Sequence, residues 1–176
     1  MTTTLAGSAT PILNEELANM LFAATQEVFT SMLGSDVQRL PRSDAEAANT
    51  FDGVLALVGL AGAVIGNGAV VCSAATACDL SSRLLMTELS SVDEQVLDSV
   101  GEICNMIIGS FKNLLEAVTG ELKMSIPTVV YGKNIATRNA KAEVAIAVRC
   151  GSPGGEFELT VRLAKSGARE HEVRFI

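Results

Sequence analysis

Tryptophan is absent from this 176-residue chain, aromatic residues make up 4% of it, and histidine occurs once. The core must therefore be filled by aliphatic side chains, and chemistry built on clustered imidazoles has no residues to draw on. The four cysteines, Cys72, Cys78, Cys104 and Cys150, never fall in a C-x-x-C spacing, and His171 has no ligand cluster around it, so no metal site is expected. The cysteines read instead as small buried hydrophobes. Basic residues are outnumbered: 13 Lys and Arg against 20 Asp and Glu give a formal charge of −7. That sign is wrong for gripping a phosphate backbone, and nucleic acid is not an expected partner. The first ten residues carry no basic cluster ahead of an apolar block, so no secretory signal is read there and a reducing cytoplasm is expected.

What the chain does have is aliphatic bulk: 48% of it is hydrophobic, enough for one sizeable core. A single domain is expected over residues 11–176, with residues 1–10 as a flexible leader. Residues 53–77 contain no charge, and by length alone they would cross a bilayer. Gly66-Asn67-Gly68 stands in their middle with turn chemistry, between the β-branched pairs Val64-Ile65 and Val70-Val71. Two buried strands joined by a hairpin at those glycines are the expectation, and no membrane segment.

The chain is organised around a helix expected over residues 92–118. At about 100° per residue, Val96, Val100, Ile103, Ile107, Phe111, Leu114 and Val118 share one apolar arc that must be buried. Glu94, Asp98, Glu102, Asn105, Gly109 and Lys112 form a narrow stripe opposite, which places a carboxylate and a carboxamide one turn apart and facing solvent. A polar helix face is by itself an ordinary outcome of folding. Gly101 and Gly109 interrupt the helix on or beside the stripe, although interior glycine costs about 1 kcal/mol relative to alanine. Either another molecule's surface comes close there, or another helix of the same chain packs against those glycines.

Before this helix, Leu17, Met20, Leu21, Ala24, Val28 and Met32 recur at helical spacing from about Pro11 to Gly34, with Glu16 and Asn19 on the other face. An edge strand is expected near residues 37–40, strands at 52–60 and 69–73, and a helix at 74–89. Ser90 or Ser91 is the expected N-cap of the central helix and Gly120 its end. Beyond lie strands at 123–131, 142–149 and 156–163, a turn at Ser152-Pro-Gly-Gly155, and a last edge strand at 172–176.

A repeat underlies this order. Glu16-Leu-Ala-Asn19-Met20 matches Glu102-Ile-Cys-Asn105-Met106; Gly34 follows Asn19 by 15 positions, as Gly120 follows Asn105; Pro41 follows Asn19 by 22, as Pro127 follows Asn105. The common shift of 86 residues predicts two pseudo-symmetric halves, about 11–89 and 90–176, sharing one sheet.

The pattern Asp98-x3-Glu102-x2-Asn105, followed by Pro127, resembles the signature of the CheC/CheX/FliY phosphatases of bacterial chemotaxis. The words Gly101-Glu-Ile-Cys-Asn-Met-Ile-Ile-Gly109 and Ile126-Pro-Thr-Val-Val-Tyr-Gly132 are most similar to the CheX branch. The resemblance implies an α/β (α+β) fold in two layers, long helices on a mostly antiparallel sheet. It also implies hydrolysis of the phospho-aspartate of a CheY-type response regulator, with Mg²⁺ supplied by the regulator and no cofactor of the chain's own. Carried onto this sequence, Glu102 would pair with the regulator's active-site lysine and Asn105 would align the attacking water, with Asp98, Gly101, Gly109 and Pro127 in support. Glu16 and Asn19 are a candidate second pair, although Ile12 stands where the family has Asp or Ser. A homodimer through edge strands near the chain ends is implied as well. The rival reading is a non-catalytic binding or scaffold module of the flagellar-switch kind.

Overall fold

The computed structural model describes residues 2–3, 12–41, 50–138 and 142–166. The chain runs β1 (Thr2–Thr3), β2 (Ile12–Leu13), α1 (Asn14–Val28), a π-helical turn (Phe29–Leu33), β3 (Gln38–Arg39), β4 (Thr50–Gly62), β5 (Val64–Cys72), α2 (Ala74–Leu85), α3 (Glu94–Thr119), β6 (Leu122–Met124), β7 (Thr128–Ala136), β8 (Val144–Ser152) and β9 (Gly155–Lys165). The expected two-layer α/β architecture with a mostly antiparallel sheet is what forms. Pro11, most of the expected leader and the strand at 172–176 lie outside the described residues.

The main sheet has the order β3-β8-β9-β5-β4-β6, and β7 also pairs with β4, end to end with β6. Alternate residues of the four long central strands turn to one face and are buried there: Val54, Ala56 and Val58, Val70 and Cys72, Val144, Ile146 and Val148, Leu159, Val161 and Leu163. Period-two alternation is what one covered face demands. On the other face Leu57 and Ile65 stay partly in solvent. The uncharged run at 53–77 is thus mostly the middle of a sheet, its last four residues opening α2, and no helix among the described residues is long and apolar enough to cross a membrane.

The hairpin does not turn where expected. Its bend is at Gly62 and Ala63, with Gly62 at φ +141°, while Gly66, Asn67 and Gly68 lie inside β5, paired with both β4 and β9. Those glycines serve close approach: a Cβ on Gly66 would collide with the Arg162 carbonyl, and one on Gly68 would sit 2.8 Å from Ile108 Cγ1 of α3. Asn-Gly chemistry suits a turn, but the demand for space under a helix overrides it.

α3 starts later than expected. Its N-cap is Asp93, whose carboxylate accepts from the Val96 N–H at 3.0 Å, and not Ser90 or Ser91. Val96, Val100, Ile103, Ile107 and Phe111 are buried, but Leu114 and Val118 are exposed, and Leu115 takes the inward place. Over 26 residues the buried stripe drifts round the helix, because an arc drawn from spacing assumes a straight contact. α1 buries Leu17, Leu21, Ala24 and Val28, then widens into the π turn, which swings Met32 outward and Phe29 inward, stacked on Phe157 of β9 at 5.3 Å. The strand expected at 123–131 is broken at Ser125-Ile126-Pro127 into β6 and β7.

Candidate functional site

On α3, Asp98 and Glu102 are exposed and Asn105 is half-buried. None of the three has a hydrogen bond or ion pair within the chain among the described residues. Glu94, Asp98 and Glu102 stand four residues apart, a ridge of like charge that costs the helix a few tenths of a kcal/mol per pair. Lys112, which spacing places on the same stripe, does not neutralise it. Its ammonium donates to the Leu122 carbonyl at 3.3 Å and pairs with Glu116 at 2.9 Å, closing the C-terminal end of α3. The Leu122 N–H donates to the same Glu116 carboxylate at 2.7 Å, and with Lys112 holds it below the usual carboxylate range.

The two glycines settle differently. Gly101 is buried, and a Cβ there would meet Val129 Cγ2 at 3.0 Å and Pro127 Cγ at 3.6 Å, so its missing side chain makes room for this chain's own β7. An outside surface approaching the backbone at Gly101 is therefore ruled out by packing. Gly109 is half-exposed, with Met124 at 3.8 Å from the place of its Cβ. Gly101, Asn105 and Gly109 form one i, i+4, i+8 ridge, so the link 124–127 runs along α3 past the turn that carries Asn105.

The link is fixed in place. Gly59 N–H donates to Ser125 Oγ at 2.9 Å, Ser125 N–H donates to the Gly59 carbonyl at 3.0 Å, and Ser125 Oγ donates to the Ile126 carbonyl at 2.8 Å. Pro127 rests on Gly101. The result holds Ile126 85% exposed.

The first pair sits in a different environment. Glu16 and Asn19 are both exposed on α1, but the Asn19 carboxamide oxygen accepts from Arg39 Nη1 at 2.7 Å, and that guanidinium also pairs with Glu15 at 2.9 Å. Among the described residues Asn105 has no such partner. Arg39 precedes Leu40-Pro41 as Ser125 precedes Ile126-Pro127, so the shift of 86 sets Arg39 against Ser125. The repeat was read only as far as the two prolines; two positions earlier the same register contained this difference. Ser110 of α3 bonds Glu27 of α1, tying the two outward faces together.

Cys104, next to Asn105, is fully buried, and its thiol points to the Ala56 carbonyl at 3.5 Å. Burial pushes it up to about 12, so it offers no nucleophile beside the amide. Among the described residues no three His, Cys, Asp or Glu side chains converge to hold a metal ion. What the site presents is an exposed carboxylate and, one turn on, an amide without a bond inside the chain among the described residues.

The profile of the family described as Chemotaxis phosphatase CheX matches residues 54–151. The CheY-P phosphatase CheX of Thermotoga maritima is 23% identical over 124 residues, covering 70% of this chain and 80% of that protein. The chemotaxis protein CheX of Vibrio vulnificus superposes with a TM-score of 0.72 at 25% identity, over 86% of this chain and 99% of that one. CheX of Borrelia burgdorferi, solved as a complex with CheY, BeF3 and Mg²⁺, superposes with a TM-score of 0.69 at 24% identity, over 84% and 97%.

Proposed function

The chain belongs to the chemotaxis phosphatase CheX family, and on that premise we propose that it hydrolyses the aspartyl phosphate of a CheY-type response regulator. The observation that carries this reading is the Glu102/Asn105 pair one turn apart on α3, with the amide free of any bond within the chain among the described residues. Water attacks phosphorus in line, the acyl oxygen of the regulator's aspartate leaves, and the products are a carboxylate and inorganic phosphate. Mg²⁺ held in the regulator's own site shields the phosphoryl oxygens. This chain needs neither a metal nor a covalent intermediate.

Each residue has a distinct part. Glu102 pairs with the regulator's active-site lysine and sets the depth and angle of α3. Asn105 donates and accepts at once and does not titrate, so it holds the water in one orientation throughout the working pH range. A carboxylate in its place would repel the phosphoryl oxygens. Asp98, one turn earlier, adds negative charge toward the regulator. Pro127, seated on Gly101, fixes the wall of the site, and Gly109 keeps the next turn low. Glu16 and Asn19 are not a second working pair in this reading, because Arg39 already occupies the Asn19 oxygen. The reading also includes a cytoplasmic location and a homodimer. The dimer's expected strands at the chain ends give no support, since β1 pairs with β2 within the chain and 172–176 lie outside the described residues.

The test is the rate of phosphate release from a purified, phosphorylated CheY-type regulator. Asn105→Ala is expected to lower the accelerated rate about 100-fold at saturation. Glu102→Ala is expected to act mainly on KM, and Asn19→Ala to leave both unchanged. Binding without acceleration by the unaltered chain would replace the phosphatase with the docking-module reading.

A further inference from the structure

We infer that Ile126 is an apolar docking contact for the phosphorylated regulator, seated beside the Asn105 amide and separate from the charge pairing of Glu102. The inference rests on the function proposed above.

A lone exposed isoleucine usually signifies nothing, since much of any protein surface is apolar. Three observations set Ile126 apart. It is 85% exposed, exceeded among the described large apolar side chains only by Met86, the C-cap of α2, at 92%, whereas the others lie between 37% and 50%. Its backbone is immobilised by the Ser125 bonds to Gly59 and by Pro127 packed on Gly101, so little conformational freedom is left to lose when a partner covers it. Finally, the residue at the same place in the first half, Leu40, is folded down on the chain, with its Cδ2 3.3 Å from where a Gly151 Cβ would stand. In that half Asn19 is capped by Arg39. The exposed apolar residue and the free amide therefore occur together, and the covered residue and the capped amide occur together.

The geometry fixes what the partner must offer. The link 124–127 flanks α3 along the Gly101-Asn105-Gly109 ridge, so a protein that brings a phospho-aspartate to Asn105 meets Ile126 on one side of it. The acidic ridge Glu94, Asp98 and Glu102 faces the same partner from the helix. The matching surface has a cation opposite Glu102 and an apolar patch beside its phosphorylation site. Polar rim charges steer encounter, whereas a desolvated aliphatic contact slows dissociation.

The probes are the CheY-type regulator in two forms, beryllofluoride-activated for equilibrium binding and phosphorylated for turnover, with Ile126→Ser and, as a control on the opposite sheet face, Ile65→Ser. Ile126→Ser is expected to weaken binding about tenfold and raise KM to match, with kcat and the melting temperature unchanged, while Ile65→Ser binds normally. Equal affinity and KM in Ile126→Ser and the unaltered protein would overturn the inference and leave the phosphatase reading standing. If the unaltered protein binds without hydrolysis and Ile126→Ser weakens that binding, the contact holds and the phosphatase reading falls. Absence of binding by the unaltered protein would overturn both.

Discussion

At the scale of single residues, the same amino acid does different work by position. Cys72, Cys104 and Cys150 are buried, and burial pushes each thiol up to about 12 from an ordinary value of 9.0. Because the unfolded thiols ionise first, the folded state loses stability as pH rises from 9 toward 12, and this contribution is fully present below 9. Urea midpoints measured from pH 8 to pH 11 are expected to fall over that window, and to fall less in Cys104→Ala than in the unaltered chain. Asparagine divides in the same way: Asn19 is held by Arg39 and Asn105 is not. The contrast was invisible in the matching Glu-x-x-Asn words, because what decides it is a side chain on a distant strand.

At the scale of elements, the glycines show where sequence reading succeeded and where it failed. Gly68→Ala is expected to destabilise by about 1–3 kcal/mol, since the new methyl meets Ile108 in a packed interior. Gly109→Ala, where the nearest atoms are at 3.8 Å, is expected to stabilise by about 1 kcal/mol through helix propensity. Thermal melts of the pair should shift in opposite directions. The existence and order of the long elements were legible because each carries one strong period: 3.6 in α1 and α3, two in β8 and β9. The hairpin bend was not, because Gly66-Asn67-Gly68 has the composition of a turn and only the helix above it reveals the need for space. The N-cap slipped by two to three residues for a related reason. Ser90, Ser91 and Asp93 are all competent caps, and packing of Val96 decides among them. For the site, Glu102 and Asn105 were legible as a stripe, whereas Arg39 and Ile126 were not, since neither lies on the helix that carries the chemistry.

At the scale of the whole molecule, the sheet order β3-β8-β9-β5-β4-β6 reads alike from either edge: an edge strand, a hairpin, a hairpin, an edge strand. The edge strand that follows α1 pairs with the second hairpin, and the one that follows α3 pairs with the first. We take this crossed arrangement as support for two related halves. It also means that neither half is a folding unit. A fragment of residues 11–89 leaves one long edge of β5 open and removes α3 from the inner face of β4, and is expected to lack cooperative melting and to be digested quickly by protease, while an equimolar mixture with 90–176 recovers protection. Such dependence on distant pairing slows folding relative to local contacts.

β5 is made early, yet its second neighbour, β9, ends only at Lys165. A ribosome delivers these strands in order, so a long, uncharged, glycine-containing edge stands open while α2, α3 and three further strands are still being synthesised. During that interval the nascent chain is most exposed to pairing with a neighbour on the same messenger RNA. The need to guard that edge during translation is a cost of threading two halves through one another.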